Sequence, residues 1–161
     1  MVFVFDADVS STFAKIDKLG LLEGLFGKGN LAIPPAVVSD LNRSKSAKVK
    51  DVLNSKVFRH VSLAKREIGL AKKISQRKNL GAGEIECIAL CKIRGSVLVT
   101  KDNKAIRLAE ELNIDVVDLE TILYSLKDLI GRQQLKQIIN DIESKDKVII
   151  VNKEKILKNS E

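Results

Sequence analysis

The sequence predicts an α/β fold in which a parallel sheet of about five strands lies between layers of helices. Short apolar runs such as VFVF at residues 2–5 are typical of central strands that are covered on both faces. Between these runs lie segments whose apolar residues recur at helical spacing. Strands that alternate with amphipathic helices in this way are the pattern of a parallel sheet.

The individual elements follow from local signals. We predict strands at residues 2–5, 31–33, 57–61, 96–100 and 114–117. Ser10 or Ser11 is the expected N-cap of a first helix that runs to about residue 19, and Pro34 and Pro35 end the second strand and begin the next helix. Further helices are predicted at residues 47–54, 63–78, 83–93 and 103–112, with two more after residue 119. The apolar run 148–151 fits either an edge strand or part of a tail.

Length and composition predict one soluble globular domain that spans residues 1–161. The chain has 161 residues, of which 45% are hydrophobic and 30% are charged. No apolar run reaches the roughly 20 residues of a membrane helix. The N-terminus lacks the features of a signal peptide. We therefore expect a cytoplasmic protein with no membrane partner.

The cysteine and histidine residues do not predict a zinc site. Cys87 and Cys91 are one helical turn apart, a spacing that does not favour a disulfide, and no second cysteine pair accompanies them. The single histidine, His60, lies in a predicted strand without nearby partners. These side chains are expected to be structural.

Positive charge is concentrated in residues 41–81. This segment holds twelve basic residues against only Asp51 and Glu67, in a chain whose net charge is +7. Such a segment favours a polyanionic partner, with a solvated lysine-rich surface as the alternative. The expected nucleic-acid-binding residues are Lys72, Lys73, Arg77 and Lys78.

Acidic residues follow the predicted strands or begin the helices that leave them. Asp6 and Asp8 follow the first strand, and Asp40 lies about one helical turn beyond Pro34 and Pro35, which end the second. Glu84 lies at the start of the helix in GAGEIEC, and Asp102 follows the strand at residues 96–100. Each acid alone is explained as a helix cap. In a parallel sheet, however, the carboxyl ends of the strands meet at one edge, where ligands bind.

A cluster of carboxylates without cysteine or histidine predicts a hard divalent cation, Mg²⁺ or Mn²⁺. Like charges repel at close range unless a cation lies between them. Such an ion activates water and stabilises the departing oxygen of a phosphodiester. The basic segment would hold the nucleic acid that the acidic pocket alone repels.

The segments FDADVSS, IPPAVVSDL, LGAGEIECIALC and VLVTKDNKAIRLAEELNI resemble the PIN domain family. The likeness is greatest to its prokaryotic branch with a GE-x-E central helix. It covers a core of residues 2–118 and leaves residues 119–161 as a helical C-terminal extension. The resemblance implies a three-layer α/β/α sandwich and a divalent-metal-dependent nuclease, most often an endoribonuclease. Some members are toxins of toxin–antitoxin pairs and others process RNA.

The resemblance also implies roles for individual residues. Asp6, Glu84 and Asp102 match the metal-binding acids. Asp40, where glutamate is more usual, binds through water or polarises the attacking water. Asp8, Glu86 and Thr100 are auxiliary candidates: Glu86 rivals Glu84 as a ligand, and Thr100 would position Asp6 or a water. The implied partners are RNA and an antitoxin. In the C-terminal extension, apolar residues recur at helical spacing, which predicts packing on the domain's own sheet, with an interface to a second copy of the chain or to an antitoxin as the alternative: Leu119, Ile122, Leu123, Leu126 and Ile130. Because the chain has few aromatic residues, we expect single-stranded RNA to be held mainly through its phosphates.

Two other functions remain open from the sequence. A D-x-D motif after an apolar strand also begins haloacid-dehalogenase-like phosphatases, in which Asp6 would be the nucleophile and Asp8 the general acid. That family leaves the GE-x-E segment unexplained. The second alternative is a nucleic-acid- or protein-binding module whose acidic pocket performs no chemistry.

Overall fold

The computed structural model describes residues 1–77 and 79–158. Within them, one parallel sheet contains five strands in the order β3-β2-β1-β4-β5. The strands are β1 (Phe3–Phe5), β2 (Leu31–Ile33), β3 (Arg59–His60), β4 (Val97–Val99) and β5 (Val116–Val117). Helices flank this sheet, so the predicted three-layer α/β/α fold is confirmed.

The described helices connect the strands and extend the C-terminus. They are α1 (Ala7–Lys15), α2 (Leu19–Phe26), α3 (Pro35–Asn42), α4 (Ala47–Asn54), α5 (Lys65–Arg77), α6 (Ala82–Arg94), α7 (Asn103–Glu111), α8 (Leu119–Asp141) and α9 (Lys153–Leu157). Gly131 interrupts α8 with a φ of 81°, a conformation that glycine adopts without steric cost. A single π-helical turn, Ile142–Asp146, follows α8.

The strand order reverses beside β1, which is the first strand of the chain. From β1 the chain moves outward to β2 and β3, and it then returns to the other side of β1 to form β4 and β5. Phe5 is paired with Val99 across this boundary. Asp6 and Thr100 therefore leave the sheet side by side, at the point where open parallel sheets bind their ligands.

The predicted N-cap of the first helix was wrong. Helix α1 begins at Ala7, and Asp6 is its N-cap, accepting a hydrogen bond of 2.9 Å from the Val9 N–H. Ser10 lies inside the helix, and its hydroxyl donates to the Asp6 carbonyl at 2.9 Å. The helix therefore begins directly after the strand, a few residues earlier than predicted. This is possible because aspartate is as effective an N-cap of a helix as serine.

The apolar run at 148–151 is not a strand in the described part of the chain. Ile150 is buried, whereas Ile149 is exposed. The run lies between the π-helical turn and α9, and it is anchored to the domain by single side chains rather than by a strand ladder.

The C-terminal helices share the hydrophobic core of the sheet domain. Helix α8 buries Leu123 and Leu126, and the segment after it buries Ile142 and Ile156. Of the apolar positions that recur at helical spacing, Leu119, Ile122, Leu123 and Leu126 are buried as predicted, whereas Ile130 is only partly buried against the core. The π-helical turn, residues 142–146, packs against α1.

Replacing Ile156 with alanine should destabilise the whole domain. Its side chain has no exposed surface, so truncation leaves a cavity and costs about 2–5 kcal/mol of unfolding free energy. Ile149→Ala is the matched control, because that side chain is 80% exposed and its loss should cost less than about 0.5 kcal/mol. Urea unfolding measures both. Equal stabilities for the two variants would contradict a core that extends into α9.

Candidate active site

Asp6 is a buried carboxylate at the carboxyl end of β1. Its side chain is bonded to the Val9 N–H and to the Thr100 hydroxyl, and the residue is only 1% exposed. Burial raises the pKa of the Asp6 carboxyl to about 7, with smaller contributions from the charges of Asp8 and Glu84, although both hydrogen bonds act to lower it. A metal-free protein therefore holds Asp6 partly protonated near neutral pH.

Thr100 joins Asp6 to Asp102. The Thr100 hydroxyl donates to the Asp6 carboxylate, and its oxygen accepts a hydrogen bond from the Asp102 N–H at 3.1 Å. Asp102 is the N-cap of α7, with one carboxylate oxygen accepting from the Ala105 N–H at 2.8 Å. Its other carboxylate oxygen is free of this cap. The two acids that follow β1 and β4 are thus held in one hydrogen-bonded unit.

Glu84 lies in the first turn of α6 and belongs to the same electrostatic cluster. The pKa of the Glu84 carboxyl is raised, first by burial and then by the charges of Asp102, Asp8 and Asp40. Its side chain folds back over Gly81, where a Cβ atom would collide with the carboxylate. The glycine before α6 therefore leaves room for Glu84 to turn toward the other acids.

Glu86 has a different environment from Glu84. Its carboxylate accepts a hydrogen bond of 2.7 Å from the Ala36 N–H, in the first turn of α3. The N-cap of α3 is Pro34, which makes no side-chain cap bond, so Glu86 takes over this function from a neighbouring helix. Glu84 faces the acid cluster, while Glu86 joins α6 to α3.

Asp40 is brought to the cluster by α3. A Cβ atom on Gly83 would lie 3.0 Å from the Asp40 carboxylate and 3.3 Å from a methyl group of Val37. Glycine at this position permits α3 and α6 to approach closely. Asp40 also forms an ion pair with Arg43, one turn along the chain.

Asp8, Asp40 and Glu84 line a cleft of about 320 Å³, which we call the acidic cleft. Its polar and charged lining includes the side chains of Asp8, Ser11, Lys15, Asp40, Ser44, Glu84, Lys101 and Asp146. The structure thus brings the predicted residues Asp8, Asp40 and Glu84 to one opening, next to Asp6 and Asp102. It adds Lys15, Lys101 and Asp146, which were not among the predicted site residues.

Asp146 reaches the acidic cleft from the π-helical turn. Its carboxylate accepts hydrogen bonds from the Thr12 hydroxyl at 2.6 Å and from the Lys15 ammonium at 2.5 Å, and Lys101 lies 3.6 Å away. Burial acts to raise the pKa of the Asp146 carboxyl, but these contacts outweigh it and hold the pKa below its usual value. In the sequence, Asp146 lies in the polar segment ESKDK, and no local signal distinguishes it from a surface residue.

The described basic residues of the segment 41–76 are exposed, and they lie on α4, on α5 and in the segments next to these helices. Lys72 and Lys73 are exposed on α5, and α5 packs along α6, the helix that carries Glu84. Lys73 lines a groove between α5 and α7 beside Leu70 and Leu108, rather than the acidic cleft. Lys78 lies outside the described residues, as does the side chain of Arg77.

The donor set fits a hard divalent cation in its chemistry. All of the clustered donors are carboxylate oxygens, and the pKa values of Asp6 and Glu84 are raised in part by their acidic neighbours. Within residues 1–77 and 79–158, no three acidic, histidine or cysteine side chains are grouped closely enough to hold a metal ion as they stand. Mg²⁺ takes few direct protein ligands and retains several waters, so it needs no closed cage.

Comparison with known proteins identifies the family. A family model described as a PIN domain matches residues 2–157. A comparison with curated proteins found no match. The chain therefore belongs to the PIN domain family, a class of nuclease-type domains whose nucleases generally use divalent metals. Among the described residues, no helix is long and apolar enough to cross a membrane.

Replacing Asp6 with asparagine should stabilise the metal-free protein at neutral pH. The folded pKa of about 7 lies above the ordinary value of 3.8, so ionisation of Asp6 favours the unfolded state as the pH rises between these values. The variant should equal or fall below wild type at pH 4. By pH 7 to 8 it should gain on the order of 3 kcal/mol relative to wild type.

Chemical unfolding in the presence of a chelator, repeated across this pH range, measures the effect. Asp128→Asn, at an exposed site on α8, is the control and should follow wild type at every pH. An Asp6→Asn variant with the same stability deficit at pH 4 and pH 8 would contradict the buried, proton-holding Asp6.

Proposed function

We propose that this protein is a divalent-metal-dependent endoribonuclease that hydrolyses phosphodiester bonds of single-stranded RNA in the acidic cleft. The observation that carries the proposal is the convergence of Asp6, Glu84 and Asp102 at the carboxyl ends of β1 and β4. The three acids come from distant parts of the sequence, yet Thr100 is hydrogen-bonded both to the Asp6 carboxylate and to the Asp102 N–H. Burial is the main cause of the raised pKa values of Asp6 and Glu84, and the charge of Glu84 adds to the first and that of Asp102 to the second. Membership of the PIN domain family supports a nuclease over a phosphatase with Asp6 as its nucleophile.

Asp6, Glu84 and Asp102 are the proposed ligands of Mg²⁺ or Mn²⁺. A bound divalent ion would lower the pKa of a coordinated water and offset the charge that develops on the phosphate. Thr100 contributes by fixing the carboxylate of Asp6 and the backbone N–H of Asp102 in one arrangement. Ligands that are oriented beforehand need little rearrangement on binding.

Asp40 is the proposed partner of the attacking water. It lies on α3 and lines the acidic cleft together with Glu84 and Lys101. From there its carboxylate can accept a hydrogen bond from the water that attacks phosphorus, while the P–O bond to the departing ribose oxygen breaks. Glu86 maintains this geometry by holding the start of α3 against α6.

The biological setting is also a proposal. The RNase would be the toxin of a toxin–antitoxin pair or an enzyme of RNA processing, and its protein partners would be an antitoxin or a second copy of the chain. These assignments rest on the family alone. The alternative is a protein that binds RNA without cleaving it. It is favoured by the absence, among the described residues, of a closed group of carboxylates that could hold a metal ion.

Purified protein should cleave single-stranded RNA in Mg²⁺ or Mn²⁺ and lose this activity in a chelator. Asp6→Asn and Asp102→Asn should each lower the cleavage rate at least about 100-fold, because each removes a metal ligand. Asp128→Asn removes an acid of the same type from an exposed site and should leave the rate unchanged. Gel analysis of labelled RNA gives the rates.

Two results would contradict the proposed activity. One is cleavage by Asp6→Asn and Asp102→Asn at the wild-type rate, which would indicate a contaminating nuclease. The other is metal-dependent RNA binding without cleavage of any of a varied set of RNAs, which would establish the non-catalytic alternative.

The basic surface of α5 should contribute to RNA binding. Replacing Lys72 and Lys73 with glutamate should weaken affinity for single-stranded RNA about 10-fold at low salt and reduce its salt dependence. The matched control reverses Arg132 and Lys136, which are exposed on α8, and produces the same change in net charge. Fluorescence anisotropy measures both. Equal losses in the two variants would remove α5 from the RNA-binding surface, and the same test applies to Arg77 and Lys78.

A further inference from the structure

We propose that Lys15 and Lys101 form a phosphate-binding pair at the rim of the acidic cleft, and that Asp146 is the residue that positions them. The inference rests on the proposed function in that it takes a nucleic-acid backbone as the ligand. It assigns a role to the C-terminal segment, which lies outside the residues that resemble the family's acidic motifs.

Both lysines lie close to the acidic residues of the site. Lys15 lies seven residues after Asp8 and four after Ser11, so the three side chains occupy one face of α1, and all line the acidic cleft. Lys101 lies between Thr100 and Asp102, immediately after β4. A phosphate that approaches the acidic cluster therefore passes within reach of two ammonium groups.

Asp146 holds these two side chains in one place. It accepts hydrogen bonds from Thr12 and Lys15, and the Lys101 ammonium lies 3.6 Å from its carboxylate and 3.4 Å from the Thr12 hydroxyl. A free lysine side chain carries about 2 kcal/mol of rotamer entropy. Fixing both lysines in advance lowers the entropy cost of binding a phosphate.

The contacts leave the lysines able to bind a ligand. An ammonium group has three donor hydrogens, and the Lys15 bond to Asp146 uses one of them. Both lysine side chains remain partly exposed, whereas the Asp146 side chain is only 6% exposed. The lysines therefore face the opening, and Asp146 lies behind them.

Asp146 is a fixed support rather than a removable plug. The π-helical turn that carries it is anchored by Ile142, which is completely buried. Withdrawing Asp146 would break its hydrogen bonds to Thr12 and Lys15 and would disturb this anchored turn. The acidic cleft is thus lined both by carboxylates and by two lysines that Asp146 supports and that can donate hydrogen bonds to a phosphate.

Binding of a short single-stranded RNA, measured by anisotropy, tests the proposal. The measurements use Ca²⁺, which takes oxygen ligands in a looser geometry than Mg²⁺, and a gel confirms that the RNA is intact afterwards. Lys15→Met and Lys101→Met should each weaken binding about 5-fold and reduce the salt slope by about 0.7. Lys136→Met, at an exposed site on α8, should change neither quantity.

Whether Asp146→Asn strengthens or weakens RNA binding decides whether Asp146 positions the lysines. Removing a negative charge from the acidic cleft would strengthen RNA binding if charge alone mattered. If Asp146 positions the lysines, binding should weaken about 3-fold despite the loss of that charge. Thr12→Val, which removes one bond to Asp146 without changing any charge, should weaken binding in the same direction, and Thr12→Ser should restore it.

The outcomes separate this inference from the proposed function. Tighter binding by Asp146→Asn, or lysine variants that match Lys136→Met, would overturn it even if the wild-type protein cleaves RNA. The expected binding losses in a protein that cleaves no RNA would support the phosphate-binding pair and refute the nuclease. If Asp146→Asn does not fold, the Thr12 variants decide the positioning role.

Discussion

The hydrogen bond between Thr100 and Asp6 is the contact on which the site depends. It joins the carboxyl ends of β1 and β4, the two strands where the sheet reverses its order. It also supports a carboxylate that is 1% exposed, an environment in which an unpartnered charge is very costly. Because the same hydroxyl accepts the Asp102 N–H, the positions of two acids follow from one threonine.

The remaining acids are positioned by helix packing around this bond. Glycine at 81 and 83 lets Glu84 turn back over the start of α6 and lets the Asp40 carboxylate approach the same helix. Glu86 then joins α6 to α3 through the Ala36 N–H. In the GAGEIE segment, the glycines thus make space for the carboxylates of Glu84 and Asp40, and Glu86 holds α6 against α3. Burial is the main cause of the raised pKa values of Asp6 and Glu84, and the charges of the neighbouring acids raise them further.

The sequence was sufficient to predict the parallel fold, because buried strands and amphipathic helices leave strong periodic signals. The family was recognised separately, from the resemblance of four short segments that include FDADVSS and LGAGEIECIALC. It was also sufficient to place acids at strand ends, where a parallel sheet must bring them together. It could not distinguish Glu84 from Glu86 as the acid that faces the cluster, since that depends on which helix lies beside each side chain. The first cap was predicted wrongly because aspartate and serine compete as N-caps, and both follow β1.

The place of Asp146 in the acidic cleft could not be predicted from the sequence, for a different reason. Its position in the acidic cleft depends on a π-helical turn and on the burial of Ile142 and Ile156 far along the chain. Long-range packing of this kind leaves no local pattern in a polar segment. The family match over residues 2–157 includes this turn, which agrees with its contacts to α1.

We propose that Asp6, Glu84 and Asp102 bind a catalytic divalent cation. The most direct measurement is a crystal structure with Mn²⁺, in which the metal is located by its anomalous scattering. The account predicts a peak in the acidic cleft with carboxylate oxygens of these residues about 2.1 Å away, completed by waters. A structure at saturating Mn²⁺ with no peak in the cleft, or with a metal held by other residues, would contradict it.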